Sequence, residues 1–407
     1  MAEADQHRVR PRQTRLRLEV FTVAGRVTTF LVDRLQWLLT RTGPRLSNLT
    51  LVLLGIVGVV AIGIVLNLEV RGNGYGQKRD AAEVMARDTA LIRSARQARN
   101  LPINEDEDAN GSGLIGLYTS PLTTDRGSLR QKLTATNPGV AAAVIDLLDQ
   151  AHIGHGDVVA VGMTGSFPGL NLAVLDALQL RGARTLEIAS VGASNWGANE
   201  PLFTWLDMQQ VLLSGRRTDV QVLGASLGGG DDNGKTMTQR GRTAAVEAIS
   251  RNGIDPIAAP SIEASVSDRM RRYSEAAAGR KIKLYINVGG GVASVGPIEQ
   301  KLALRAGLNR AVLRDASRNL GVAYDFLRGG TAVLQLRDVG ALAKRYQLPE
   351  APSPFPRIGV GPVYRDRGLQ TLSAIAALVV LGAATAAARV GVFERLWVRL
   401  GWRRAED

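Results

Sequence analysis

Hydroxyls, side-chain amides and glycines gather in two stretches, Thr164-Gly165-Ser166-Phe167-Pro168-Gly169 and Gly192-Ala193-Ser194-Asn195-Trp196-Gly197-Ala198-Asn199. The first puts two hydroxyls and several backbone N–H groups where a strand should turn into a helix. Helix starts carry unpaired donors and partial positive charge, so they attract carboxylates and phosphates. The second adds the amides of Asn195 and Asn199, the hydroxyl of Ser194 and the flat face of Trp196. Thr164, Gly165 and Ser166 on one side, facing these residues on the other, read as a polar pocket for a carboxylate or an amide. Ser166 is also a candidate nucleophile, with His155, Asp207 or Lys235 as its helper. The run lacks the Gly-x-Ser-x-Gly spacing of a nucleophile elbow. A plain turn accounts for the same glycines, and Asn199 before Glu200-Pro201 fits a helix N-cap.

Three other patterns invite chemistry. His152 and His155 stand at a metal-compatible spacing, but across a helix end that also holds Gly154 and Gly156, and no metal site is predicted. The acidic run 104–113 lacks the ligand spacing of a calcium loop. Gly229-Gly230-Asp231-Asp232-Asn233-Gly234-Lys235-Thr236 satisfies the P-loop pattern Gly-x-x-x-x-Gly-Lys-Thr literally. Asp231 and Asp232 would push negative charge at a triphosphate, and the later strand 281–288 offers Asn287 where a Walker-B aspartate belongs. A solvated loop is the preferred reading, and no cofactor is expected. Gly289-Gly290-Gly291 leaves that later strand as a third loop, and Gly289 and Gly290 join the candidate pocket.

The elements that must position these loops are legible. The run 157–163 is short, apolar and β-branched, as a buried strand is. A helix over 170–178 follows, stopped by Gly182, and 183–191 is a second strand. Strand, helix, strand in that order is a βαβ unit with parallel strands, and ligands collect at the carboxyl ends of such strands. Further strands are predicted at 114–118, 219–226, 254–258, 281–288 and 331–336, and helices at 77–99, 139–151, 238–252, 267–278 and 338–346. The fold class is α/β with a mostly parallel, doubly wound sheet.

The 407 residues carry a net charge of +13 and no cysteine, which excludes disulfides, cysteine zinc sites and thiol nucleophiles. Residues 1–48 hold nine arginines and four acids, a net +5, just before an uncharged run. That run, 49–68, is long enough at roughly 1.5 Å per residue to span about 30 Å of hydrocarbon. A second apolar run, 369–388, carries Gly382 and Ala386 at small-xxx-small spacing. Basic, amphipathic tails flank both runs, so both termini are predicted cytoplasmic and the intervening part extracytoplasmic. The domain plan is a basic tail (1–48), a span (49–68), an α/β domain (72–348), a proline-rich linker (349–366), a second span (369–388) and a basic tail (389–407). The basic excess is assigned to membrane topology and not to nucleic acid.

Longer motifs add a resemblance. Thr164 to Asn171, Ser190-Val191-Gly192-Ala193-Ser194, Trp196-Gly197-Ala198-Asn199 and Phe203-Thr204-Trp205-Leu206-Asp207-Met208 resemble the poly-γ-glutamate system protein family. Thr123-Thr124, Gly127-Ser128-Leu129, Ala225-Ser226-Leu227-Gly228-Gly229-Gly230 and Asn287-Val288-Gly289-Gly290-Gly291 extend it over most of 114–350. The resemblance implies a bacterial cell-membrane protein that works beside the enzymes making and exporting poly-γ-glutamate, with the polymer, the membrane and those enzymes as partners. It supplies no catalytic residues. Two readings stay open: an external domain that binds the polymer or the synthase, and a γ-glutamyl amide hydrolase or transferase using Ser166. A nucleotide hydrolase rests on the discounted loop alone.

Overall fold

The computed structural model describes residues 55–60, 63, 74–216, 219–297, 300, 304–311, 320–365 and 367–389. Residues 71–366 form one compact unit, and residues 1–70 with 367–407 form another. In chain order the larger unit contains α1 (Tyr75–Ala98), β1 (Thr123–Asp125), α2 (Leu129–Ala135), α3 (Gly139–Gln150), β2 (Val158–Thr164), α4 (Pro168–Arg181) and β3 (Arg184–Ser190). Three two-residue strands follow, β4 (Ala193–Ser194), β5 (Asn199–Glu200) and β6 (Phe203–Thr204), then α5 (Trp205–Arg216) and β7 (Val220–Ser226). The remainder is α6 (Gln239–Arg251), α7 (Ile262–Ala277), β8 (Ile282–Val288), α8 (Val292–Val295), β9 (Gly307–Asn309), α9 (Val322–Arg328), β10 (Ala332–Leu336) and α10 (Val339–Tyr346).

The main sheet has the order β7-β3-β2-β8-β10-β9. Its first five strands are parallel, and β9 lies antiparallel on β10 at the edge. From β2 the chain winds outward to β3 and β7, returns to β8 beside β2, and then winds outward to β10. Helices cover both faces, so β2 is buried from end to end and its sequence is a continuous apolar run. Val159, Val161 and Met163 enter the larger core with α1, α3, α4 and α5, while Val158 and Ala160 enter a smaller one with α7 and α9. That alternation is the two-residue period of a strand. The α/β reading with a mostly parallel sheet therefore holds.

Local chemistry sets the helix boundaries. Pro168 opens α4 and Gly182, at φ 63°, closes it. Ser261 caps α7 by accepting the Ala264 N–H, so this helix begins earlier than the expected 267. Asn199 caps no helix: Asn199-Glu200 pairs with Phe203-Thr204 in a hairpin, and α5 starts at Trp205, where the Asp207 carboxylate accepts the Thr204 N–H at 2.7 Å. Residues 114–118 form no strand, and 254–258 contribute one bridge, Pro256 to Ala225.

In the smaller unit residues 55–60 and 63 are helical, and α11 (Arg367–Arg389) covers the second expected span. Among the described residues no helix is long and apolar enough to cross a membrane; of residues 49–68 only 55–60 and 63 are described. A Cβ placed on Gly58 would meet Leu381 at 3.7 Å, whereas Gly382 faces open space. The two basic tails lie outside the described residues.

Candidate functional site

The strands β2, β3, β7, β8 and β10 all release their chains at one edge of the sheet, and a cleft of about 690 Å³ opens there. It lies where the winding reverses between β2 and β8, the place at which such sheets leave a crevice. Thr164 and Ser166 line it from the β2 turn, Ser190, Gly192 and Ser194 from β3 and β4, and Gly290 and Gly291 from the loop after β8. Arg126 and Arg337 stand on its rim, and among the described residues neither has an ion-pair partner.

Behind this wall sits Lys132, a residue that sequence reading did not single out. It lies on α2, 2 % exposed, with its ammonium nitrogen 3.8 Å from the centre of the Phe167 ring. Nζ donates to the Ser166 carbonyl and lies 2.7 Å from Ser194 Oγ. The Ser194 N–H in turn donates to Ser166 Oγ at 3.1 Å. Burial pushes the Lys132 pKa down to about 7, a shift that Asp125 partly opposes. A lysine that titrates near neutrality, in contact with a serine hydroxyl, is both a proton acceptor and a hydrogen-bond anchor. The available signal was its position three residues after Leu129, on the buried face of a helix capped by Ser128.

The start of α4 is packed closely against α2. A Cβ on Gly169 would sit 2.5 Å from the Ala135 carbonyl oxygen, so the end of α2 covers the first turn of α4.

The structure brings together Thr164, Ser166, Ser194 and Gly290 as cleft walls. It spends the other candidates on scaffolding. Asn199 is fully buried: its side-chain amide donates to the Leu117 carbonyl and Thr123 Oγ1 and accepts the Leu117 N–H. Asn195 donates to the Tyr118 carbonyl and accepts the Gly127 N–H at 3.0 Å. Trp196 donates from Nε1 to Glu107 at 2.7 Å and packs on Tyr118. The N–H of Gly165 donates to Ser190 O and that of Gly289 to Leu336 O.

None of the three helpers considered for Ser166 is placed to serve it. His155 lies against Gly182, at the amino end of β2. Thr164 and Ser166 are at the other end, roughly 20 Å away along a seven-residue strand. Burial alone would raise the Asp207 carboxyl, but hydrogen bonds from Arg251, Thr204 and Asn252 hold it below the usual range. Lys235 is exposed and paired with Asp231 at 2.8 Å. Among the described residues no cluster of three or more histidines and carboxylates is arranged for a metal.

The P-loop-like segment folds inward on itself. The Gly230 N–H donates to Thr236 Oγ1, the Gly234 N–H to Gly228 O and the Lys235 N–H to Asn233 Oδ1, so the amides that would cradle a phosphate are already used. Asp232 is buried in an ion pair with Arg269 at 2.8 Å and also accepts from Ser226 and Ser265.

No family model and no curated protein matches the chain. A crystal structure of O-ureido-L-serine synthase aligns over 61 % of this chain and 75 % of its own, at 14 % identity and a TM-score of 0.15.

Proposed function

We propose that this chain is a membrane-anchored accessory protein of poly-γ-glutamate biosynthesis, export or surface attachment, and that its α/β unit binds the polymer in the cleft at the carboxyl edge of the sheet. The observation that carries the reading is that Arg126 and Arg337, neither of them ion-paired among the described residues, border a cleft lined by the neutral hydroxyls of Thr164, Ser166, Ser190 and Ser194. Asp125, Asp231 and Asp338 are also at its margin. Such a site takes carboxylates at its rim and amide groups along its wall. The motifs from Thr164 to Met208 supply the identity of the polymer through their family resemblance. Two cations, Arg126 exposed and Arg337 half-buried, beside neutral donors suit a polyanion that must also be released.

Titrating the full chain in detergent micelles with defined oligo-γ-glutamate tests this. The double variant Arg126→Ala/Arg337→Ala should bind at least about tenfold more weakly, since each charge-assisted hydrogen bond contributes roughly 1.5–3 kcal/mol. Wild-type affinity in that variant would sink the reading.

The membrane placement belongs to the same proposal: two spans, both termini cytoplasmic and the α/β unit extracytoplasmic in a bacterial cell membrane. Its support is the basic flanks together with exposed apolar side chains in the smaller unit, Val59 at 71 % and Leu378 at 68 %. The chain has no cysteine, so a single Asn110→Cys substitution reports cleanly. Intact cells should label at that position with a membrane-impermeant maleimide, and labelling only after lysis overturns the topology.

A further inference from the structure

We infer that Ser194 and Lys132 form a nucleophile–base pair able to open an acyl bond held in the cleft, a reading that rests on the γ-glutamyl chain being the ligand. Three features of the geometry point to Ser194 in preference to Ser166. The lysine nitrogen lies 2.7 Å from Ser194 Oγ, whereas it meets Ser166 through the backbone carbonyl. Ser166 Oγ accepts the Ser194 N–H at 3.1 Å, so one serine positions the other. A Cβ on Gly127 would sit 3.1 Å from Ser194 Oγ and 2.6 Å from the Asn195 carbonyl, so glycine at 127 leaves the hydroxyl approachable from the cleft.

A nucleophilic serine needs an adjacent base that is unprotonated at working pH. Burial supplies that condition for Lys132, and the Ser166 carbonyl fixes the amine by accepting one of its N–H groups, leaving the nitrogen lone pair to the Ser194 hydroxyl. In the step proposed, the Ser194 O–H proton passes to Lys132 Nζ while Oγ bonds to the γ-carbonyl carbon. The C–N bond then breaks, and the proton leaves Lys132 for the departing amine. A water, or the amine of an acceptor, attacks the resulting ester and gives its proton to Lys132; the ester C–Oγ bond then breaks and Lys132 returns the proton to Ser194 Oγ. Hydrolysis shortens the chain, and transfer to an amine joins it to a new end.

The test uses the full chain in micelles and a fluorophosphonate probe, with mass spectrometry locating the label. Labelling should fall on Ser194 and rise in rate as pH passes through neutrality. Lys132→Met and Lys132→Arg should both slow it by about 10²–10⁴-fold, the usual weight of a general base. Thermal melting checks that these variants fold, and the wild type alone already decides the site: an unlabelled Ser194, or label on Ser166 in its place, overturns the pair. Oligo-γ-glutamate added beforehand should protect Ser194 and be cleaved or extended. Labelling of Ser194 with neither protection nor turnover would uphold the pair and overturn the polymer as ligand. Tight binding of the oligomer without any label on Ser194 would do the reverse.

Discussion

The turn after β2 and the loop after β7 both leave the carboxyl edge of the same sheet, and both set glycines beside hydroxyls. In the first, the charged partner is a single buried lysine with no ion pair among the described residues, held by a carbonyl and a serine hydroxyl. In the second, every charge is matched: Asp232 with Arg269 in the interior and Asp231 with Lys235 at the surface. A buried cation without a counter-ion loses its proton easily and can do acid–base work. A matched pair fixes a loop and does little else. The difference lies in the pairing, not in the glycine content.

Breaking the matched loop should give the largest effect. Asp232→Ala strands the buried Arg269 and should cost about 3–5 kcal/mol in chemical denaturation. The double change Asp232→Leu/Arg269→Met should recover most of that loss. If Asp232→Ala costs under about 1 kcal/mol, the loop after β7 is not fastened as described.

Scaffold residues of the β2 side come next. Asn199→Ala leaves the Leu117 N–H and carbonyl without their partner, which predicts a loss of about 1–3 kcal/mol. Oligo-γ-glutamate affinity in the folded fraction should stay near wild type, because Asn199 does not line the cleft. A selective loss of affinity with full stability would return Asn199 to the binding surface.

The unmatched lysine should show itself in pH dependence. Its folded pKa is depressed to about 7 from an unfolded 10.5, so between those values the unfolded chain binds more protons. Stability attributable to Lys132 therefore rises with pH across roughly 7 to 10.5 and is flat below that window. The denaturation midpoint of wild type minus that of Lys132→Met should climb over this range. A difference that is level or falls would show that the amine keeps its proton.

The smallest effect belongs to Lys235. Its partner Asp231 is a surface group, so Lys235→Ala should leave the denaturation midpoint unmoved, with or without Mg-ATP. A Mg-ATP-dependent thermal shift that disappears in Lys235→Ala would make the loop after β7 a nucleotide site and erase the contrast.

Local rules were enough for much of this protein. The apolar run at 157–163, the helix stop at Gly182 and the second apolar run at 183–191 dictate a parallel βαβ unit, because each feature acts on its immediate neighbours. The same unit says which edge of the sheet the Thr164 and Ser194 loops must leave. What it does not say is which side chains remain available once the loops meet. Asn195 and Asn199 have the right chemistry for a pocket, but Leu117, Tyr118 and Gly127, some seventy to eighty residues earlier, satisfy them. Lys132 carries no motif, and only the approach of α2 to Phe167 and Ser194 buries it and lowers its proton affinity. Hydrogen-bond capacity and desolvation depend on partners distant in sequence, so the tertiary structure alone decides them.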